Sequence, residues 1–193
     1  DVPTGTYLSK IYDEMDRYAD ARKQYYPDGV LGYEEIGNTA YITFDSFQYQ
    51  DLNGDRYYQT EDVNEFPDTD TIGLIMKAHA QITREDSPIE NVVLDMSNNS
   101  GGQADAAIFT LAWLLGEASI SMENTMTGSM CSAIYRADVN RDRKFDDKDT
   151  VKDKKIYCLI SPLSFSCGNL LPCALKDSNR VTLLGRTSGG GRL

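Results

Sequence analysis

The chain contains two short turns whose residues could together carry out acyl-transfer chemistry. The first turn, at 98–102, reads Asn-Asn-Ser-Gly-Gly, and its glycines let the main chain present N–H groups just before an expected helix. Such groups bind anions. The turn lacks the Gly-Lys-Ser/Thr ending of a phosphate-binding loop, which argues against a nucleotide site. Taken alone, the motif is equally typical of a tight turn without a chemical role.

The second turn, at 164–169, reads Ser-Phe-Ser-Cys-Gly-Asn and places Ser166 at the start of an expected helix. A serine there exposes its hydroxyl, and the N–H of Cys167 can face an oxyanion formed at that serine. The alternative is a serine that only caps the helix, which is the commoner role of such a residue. Both turns follow buried strands that should be neighbours in one sheet. We therefore expect the two turns at the same carboxyl edge, where open α/β sheets build their sites.

Apolar spacing predicts the elements that must hold these turns. Helices are expected over 7–21, from 72 to 82 and from about 104 to 115, where Gly116 should end the third. Buried strands are expected at 39–44, 92–94, 156–160 and 181–184, with a polar loop over 50–70 and a meander over about 125–155. The helix after Ser166 should begin at Asn169 or Leu170, so that Pro172 falls in its first turn. The alternation of strands and helices predicts an α/β fold with a mainly parallel sheet flanked by helices.

Two blocks of sequence resemble the tail-specific, or C-terminal processing, serine peptidases. Residues 91–102 (NVVLDMSNNSGG) resemble that family's LDLRNNPGG segment. The sequences SFSC from 164, ALKD from 174 and RVTLLG from 180 resemble its SASASE, ALKD and RATLVGE segments. The resemblance extends over about 39–191 and implies a ClpP/crotonase-like fold. It also implies cleavage of protein or peptide substrates through an acyl-enzyme on Ser166, with main-chain oxyanion donors at Gly101 or Gly102 and at Cys167.

The chain departs from that family at the position of the general base. Members with a Ser–Lys dyad carry TFGKG after the serine, whereas residues 187–191 read Thr-Ser-Gly-Gly-Gly, with Gly191 at the lysine position. A minority branch pairs serine with a histidine before the core and an acid after the glycine loop, and neither is recognisable here. The single histidine, His79, shares a face with apolar residues, which favours a core histidine over a general base.

Two Asp-rich loops have the spacing of calcium ligands. Residues 138–149 and 51–62 place oxygen side chains at loop positions 1, 3, 5, 9 and 12, with a main-chain carbonyl available at position 7, and the first resembles the dockerin-type loop DVNGDGKVNSTD. The candidate ligands are Asp138, Asn140, Asp142, Lys144, Asp146 and Asp149 in the first loop and Asp51, Asn53, Asp55, Tyr57 and Asp62 in the second. Both loops carry arginine at position 6, where glycine is usual, and both end in aspartate. The alternative is a solvated hairpin tip, for which Asn53-Gly54 is a signal.

Composition limits the classes of function. The 193 residues carry a net charge of -11 and are 40% apolar, which suits one compact domain and disfavours nucleic acid as a partner. No apolar run approaches the roughly 20 residues of a membrane span. The chain begins at Asp1 without a signal peptide, so we expect a mature or shortened form: a helical segment at 1–30 and a peptidase core at 31–193, truncated at one or both ends. Four cysteines and one histidine suggest no zinc cluster.

We expect a serine peptidase of bacterial type, extracellular or on the cell surface, with calcium as a structural ion and no cofactor for catalysis. Millimolar calcium outside cells would fill even weak loops. A non-catalytic pseudo-peptidase that binds peptides in the same groove is the main alternative, because the base is missing. An acyl-thioester enzyme of the crotonase type would share the fold but would need no serine at 166. A dockerin-like adhesion module would not need so many buried strands.

Overall fold

The computed structural model describes residues 4–51 and 54–191, and the chain divides into two compact units with their boundary after Leu31. The first unit contains one long helix, α1 (Thr4–Tyr25). Arg22 and Lys23 lie in its last turn, where positive charge complements the helix dipole. The helix predicted over 7–21 is confirmed and is longer at both ends.

The second unit is built on a five-stranded sheet. The described residues form seven strands: β1 (Tyr33–Ile36), β2 (Thr39–Thr43), β3 (Asn91–Asp95), β4 (Ala118–Glu123), β5 (Met130–Tyr135), β6 (Lys155–Ile160) and β7 (Val181–Gly185). The sheet has the order β1-β2-β3-β6-β7, with β1 antiparallel to β2 and every other pair parallel. The remaining strands, β4 and β5, form an antiparallel hairpin. The predicted mainly parallel α/β sheet is confirmed.

In the part of this unit that the structure describes, the α-helices are α2 (Asp55–Gln59), α3 (Thr71–Ile82), α4 (Ala104–Leu115) and α5 (Cys167–Asp177). The buried Asp70 caps α3 by accepting a hydrogen bond from Gly73 N at 3.0 Å. Gly116 ends α4 with a φ of 95°, as its position predicts. Among the described helices, none combines the length and apolar character that crossing a bilayer requires.

The core lies between the parallel strands and the helices packed on them. The central strand β3 is buried along its middle, and Leu94 and Met96 are fully inaccessible. Trp113 from α4 and Leu171 and Leu175 from α5 join the same apolar cluster. A parallel strand covered on both faces needs continuous apolar sequence, which explains why Val-Val-Leu at 92–94 was recognisable as a strand.

The structure corrects the predicted start of α5. The helix begins at Cys167 rather than at Asn169 or Leu170, because Gly168 N donates to Phe165 O and Leu170 N donates to Ser166 O. Pro172 therefore lies inside the helix, not in its first turn. The missing N–H of a proline at this point leaves the carbonyl four residues earlier without its usual helical partner.

Three further elements were not predicted. The segment 50–70, expected as a polar loop, contains α2 and a short 3-10 helix at Val63–Glu65. The edge strand β1 (Tyr-Glu-Glu-Ile) was also missed, because its two adjacent glutamates interrupt the apolar alternation of a strand.

Candidate active site

The two turns meet at the carboxyl ends of β3 and β6. These strands are paired in parallel, with Asp95 opposite Leu159. Beyond the strands, Phe165 N donates to Asn99 O at 3.0 Å and Ser164 Oγ donates to Met96 O at 2.6 Å. The expected placement of both turns at one sheet edge is therefore present in the structure.

Ser166 occupies a sharp turn between β6 and α5. Its backbone has φ 54° and ψ -121°, a conformation that residues other than glycine rarely adopt. Ser166 N donates to Gly190 O at 2.9 Å, and the residue is half-buried at the N-cap position of α5. The hydroxyl nevertheless makes no capping hydrogen bond. A strained strand-to-helix turn with a serine hydroxyl left free of capping is the arrangement that α/β hydrolases use to present a nucleophile.

Gly101 lies directly against Ser166. A Cβ at Gly101 would stand 2.6 Å from Ser166 Cβ and 3.1 Å from Cys167 N, and the φ of Gly101 is +104°. No larger residue fits this position without displacing the serine. Gly101 N is already engaged, because it donates to the Asn99 side chain Oδ1 at 2.9 Å.

Two main-chain N–H groups in the residues that follow Gly101 and Ser166 are uncommitted. Across the described residues, Gly102 N and Cys167 N donate no hydrogen bond. The two residues are also joined, because the Cys167 thiol donates to Gly102 O at 3.2 Å. The structure thus brings together all four residues singled out in the sequence: Ser166, Gly101, Gly102 and Cys167. Of the two glycine N–H groups considered as oxyanion donors, only that of Gly102 is uncommitted.

The Cys167 side chain is fully buried beside the serine. Burial raises the pKa of the Cys167 thiol, and hydrogen bonds with the Ser166 side chain and the Gly102 carbonyl offset part of that rise. A raised pKa keeps the thiol protonated near neutral pH, and a thiol is far less nucleophilic than a thiolate.

Asn99 is a positioning residue that the sequence analysis treated only as part of a turn. It is fully buried, and its Nδ2 donates to Phe44 O at 3.0 Å while its Oδ1 accepts from Gly101 N. Its carbonyl also accepts from Phe165 N. The signal was present in the sequence, since an asparagine two residues before a glycine is typical of a side chain that bonds the main chain two residues on.

No base is bonded to the serine. Within the described part of the chain, Ser166 forms no hydrogen bond with a histidine, lysine or carboxylate. Gly191, which the resemblance aligns with the lysine of the dyad, does lie beside the serine: a Cβ there would stand 2.8 Å from Ser166 N. The position is thus adjacent to the serine, but it carries no side chain.

His79 is a core histidine, as predicted. It is 4% exposed on α3, and its Nδ1 accepts a hydrogen bond from Trp113 Nε1 at 3.2 Å. Burial lowers the pKa of His79, and a hydrogen bond with the main chain of Lys148 and the charge of Asp149 oppose that shift. Its bonds link α3 to α4 and to the loop before β6, not to Ser166.

The Asp-rich loop at 138–149 folds back on itself. Asp149 Oδ1 accepts from Val139 N and Asn140 N, and Asp149 Oδ2 accepts from Asp146 N. Three other candidate side chains each accept from a nearby N–H: Asn140 from that of Asp142, Asp142 from that of Lys144, and Asp146 from that of Lys148. The loop is therefore ordered by its own carboxylates and amide.

Part of the loop at 51–62 is helical. Residues 55–59 form α2, so Asp55 lies in a helix turn and Tyr57 turns its ring into the core, where its hydroxyl bonds Asp70. The Tyr57 carbonyl accepts from Arg141 at 3.2 Å. Asp51 accepts from Arg56 N, Asp62 caps the 3-10 helix, and Asn53 lies outside the described residues. This segment contacts the loop at 138–149 through the Arg141 side chain.

The chain matches one protein family and several solved structures. The model of the family described as "Peptidase family S41" matches residues 38–193. The photosystem II D1 C-terminal processing protease has a TM-score of 0.52 and 17% identity over 82% of this chain. A lipoprotein from Streptococcus agalactiae has a TM-score of 0.56 and 17% identity over 88% of this chain. Mature CPAF complexed with lactacystin has a TM-score of 0.50 and 15% identity over 78% of this chain.

These structural matches bear out the predicted fold. The chain spans only 34%, 54% and 38% of the lengths of those three proteins, in the same order. No curated protein matches the chain in sequence.

Proposed function

Because the chain belongs to peptidase family S41, we propose that it is a serine endopeptidase domain of the tail-specific type in which Ser166 is the nucleophile. The observation that carries the proposal is the conformation of Ser166: its strained backbone sits at a helix N-cap while its hydroxyl makes no capping bond. The local sequence supports the tail-specific type, because the blocks at 91–102 and 164–185 resemble that group of peptidases.

In the proposed reaction, Ser166 Oγ attacks the carbonyl carbon of a peptide bond. The Gly102 and Cys167 N–H groups donate to the oxyanion that forms, and preorganised donors of this kind provide a large share of the catalysis in acyl transfer. Collapse of the tetrahedral intermediate expels the amine and leaves an ester on Ser166. Water then hydrolyses the ester and restores the serine.

The proton of Ser166 must pass to a base, and serine is a weak nucleophile without one. Gly191 occupies the position of the dyad lysine, and His79 is bonded in the core. The structural relatives are longer than this chain, which covers about a third to a half of them. We therefore propose that the base lies in sequence that flanks residues 1–193 in the complete gene product.

A serine-directed fluorophosphonate probe tests the proposal on the complete gene product. We expect covalent labelling at Ser166, identified by peptide mass mapping, and loss of labelling in Ser166→Ala. Ser132→Ala is the matched control, because Ser132 is an exposed serine of β5 that bonds only Ser121 among the described side chains. Labelling that persists in Ser166→Ala would refute the assignment of the nucleophile.

Labelling, combined with a proteolysis assay and a peptide-binding assay, separates catalysis from simple binding. If the complete gene product is neither labelled nor active on unfolded protein substrates, yet binds peptides in fluorescence anisotropy, the domain is a non-catalytic peptide binder and the peptidase proposal is wrong.

A further inference from the structure

A buried carboxylate in the loop at 138–149 has one oxygen without a partner. Asp138 is 5% exposed, and its Oδ2 accepts hydrogen bonds from Tyr58 Oη and Arg143 N, both at 2.8 Å. Among the described residues, Asp138 Oδ1 is the one buried side-chain oxygen or nitrogen that has no hydrogen-bond partner. A buried carboxylate oxygen without a donor is unfavourable, and such groups usually pair with a cation or coordinate a metal.

The loop encloses this oxygen. Arg143 N reaches back to Asp138 from five residues further on, and Asp149 pins the start of the loop through Val139 N at 2.9 Å. The Tyr58 hydroxyl donates to Oδ2 from the helix α2. Oδ2 is thereby saturated, and Oδ1 is the atom left for another ligand.

Two arginine side chains of the loop bond or stack on groups other than this oxygen. The Arg141 guanidinium donates to the carbonyls of Tyr57, Thr60 and Glu61. The Arg143 guanidinium stacks over the Tyr58 ring, 4.4 Å from its centroid. Neither guanidinium therefore donates a hydrogen bond to Asp138 Oδ1, although both arginines follow it closely in sequence.

The nearby groups are hard oxygen donors. In the described residues, no three carboxylates, imidazoles or thiols converge as a cluster, so an ion here would also need amide and main-chain oxygens. The loop at 138–149 contains no histidine or cysteine, which disfavours zinc. Calcium accepts a mixed set of carboxylate, amide and main-chain oxygens and takes six to eight of them, with water completing the shell.

We propose that residues 138–149 bind one calcium ion through Asp138 Oδ1, the side-chain oxygens of Asn140 and Asp142, and the Lys144 carbonyl. Asp149 orders the loop through its three N–H bonds, and Asp146 is near enough in sequence to hold a bound water. The ion would stabilise the segment that leads into β6. That segment also contacts His79 through the main chain of Lys148.

Calorimetry and thermal unfolding of the protein, in calcium chloride or in a chelator, test this proposal. We expect calcium to bind with a Kd of about 10⁻⁴ to 10⁻³ M, the range of extracellular calcium modules. At a calcium concentration 100 times the Kd, the unfolding equilibrium constant should fall about 100-fold, which raises the Tm. Asp138→Asn and Asp142→Ala should each weaken calcium binding by at least about 10-fold.

Asp147→Ala is the matched control within the same loop. It removes the same charge as Asp142→Ala, but Asp147 is at loop position 10 and pairs with Lys152. Its calcium affinity should stay within about twofold of the wild-type value. The proposal is overturned if the wild type shows neither binding heat nor a Tm shift, or if Asp147→Ala weakens calcium binding as much as Asp142→Ala.

Discussion

At the scale of single residues, Gly101 cannot accept a side chain without a clash against Ser166. Gly101→Ala forces a Cβ to within 2.6 Å of Ser166 Cβ at a φ of +104°. We expect the free energy of unfolding to fall by about 3 kcal/mol or more, and fluorophosphonate labelling of Ser166 to fall at least tenfold. Urea unfolding and quantified labelling measure the two effects.

Gly128→Ala separates backbone strain from the clash. Gly128 also has a positive φ, of +69°, but no atom lies within 4 Å of a Cβ there. The Gly128→Ala variant should lose only about 1 kcal/mol of unfolding free energy and keep normal fluorophosphonate labelling of Ser166. Equal labelling of the Gly101 and Gly128 variants would contradict the close approach of Gly101 to the serine.

His79 should make stability depend on pH. Its folded-state pKa lies below the ordinary value of 6.5, so the unfolded chain binds a proton more readily than the folded chain. Stability from the neutral imidazole is complete above pH 6.5 and is lost as the pH falls from 6.5 towards the folded-state pKa. When the pH falls from 7.5 to 5.5, we expect the unfolding free energy of the wild type to drop by about 1 kcal/mol more than that of His79→Gln. The glutamine cannot titrate.

Urea unfolding at both pH values measures this difference. Asp149 is the charged group whose field opposes the shift, and Lys148 contributes its main chain. Parallel pH dependences in the wild type and in His79→Gln would show that the imidazole is not held neutral in the core.

At the scale of elements, the cap of α3 should contribute far more than an exposed cap. Asp70 is fully buried and bonds both Gly73 N and the Tyr57 hydroxyl. Asp70→Ala therefore removes a cap and leaves a buried hydroxyl without its acceptor, at a cost of about 2–4 kcal/mol. Asp62→Ala is the matched change at an exposed cap of a 3-10 helix and should cost about 0.5 kcal/mol. Similar urea midpoints for the two variants would contradict this ranking.

The elements predictable from sequence were those whose pattern is local. The apolar run Val-Val-Leu at 92–94 indicates a buried strand. Gly116 after α4 indicates a left-handed helix cap. The start of α5 was mispredicted because the bonds to Phe165 O and Ser166 O outweigh the usual preference of Pro172 for a first turn.

The details of the candidate site depend on contacts between distant segments. Sequence could pair the turns at 98–102 and 164–169, because both follow buried parallel strands. It could not reveal that Gly101 N is occupied by Asn99 while Gly102 N is not. The same limit applies to the loop at 51–62, whose ligand spacing is real but whose residues 55–59 fold as a helix that receives Arg141.

At the scale of the whole molecule, residues 1–193 alone should hydrolyse peptides slowly. An oxyanion hole and a groove without a base retain only about 10³ to 10⁴-fold acceleration over water in comparable enzymes. Extension by the flanking sequence of the gene should raise kcat/KM by orders of magnitude, and Ser166→Ala should then abolish turnover. Steady-state assays with a quenched fluorescent peptide measure both forms. Efficient turnover by residues 1–193 that disappears in His79→Ala would refute the assignment of His79 to the core.

The pairing of β3 with β6 also has a consequence for how the chain folds. These strands are adjacent in the sheet, yet residues 96–154 separate them and include α4, the β4–β5 hairpin and the loop at 138–149. Helices and hairpins form from local contacts, whereas this strand pair must close a long loop before any of its hydrogen bonds form. We expect the centre of the sheet to be gained late in refolding. The turns that carry Gly101 and Ser166 meet only when that pair closes, so the reactive geometry arises with the slowest structural step and not with the early helices.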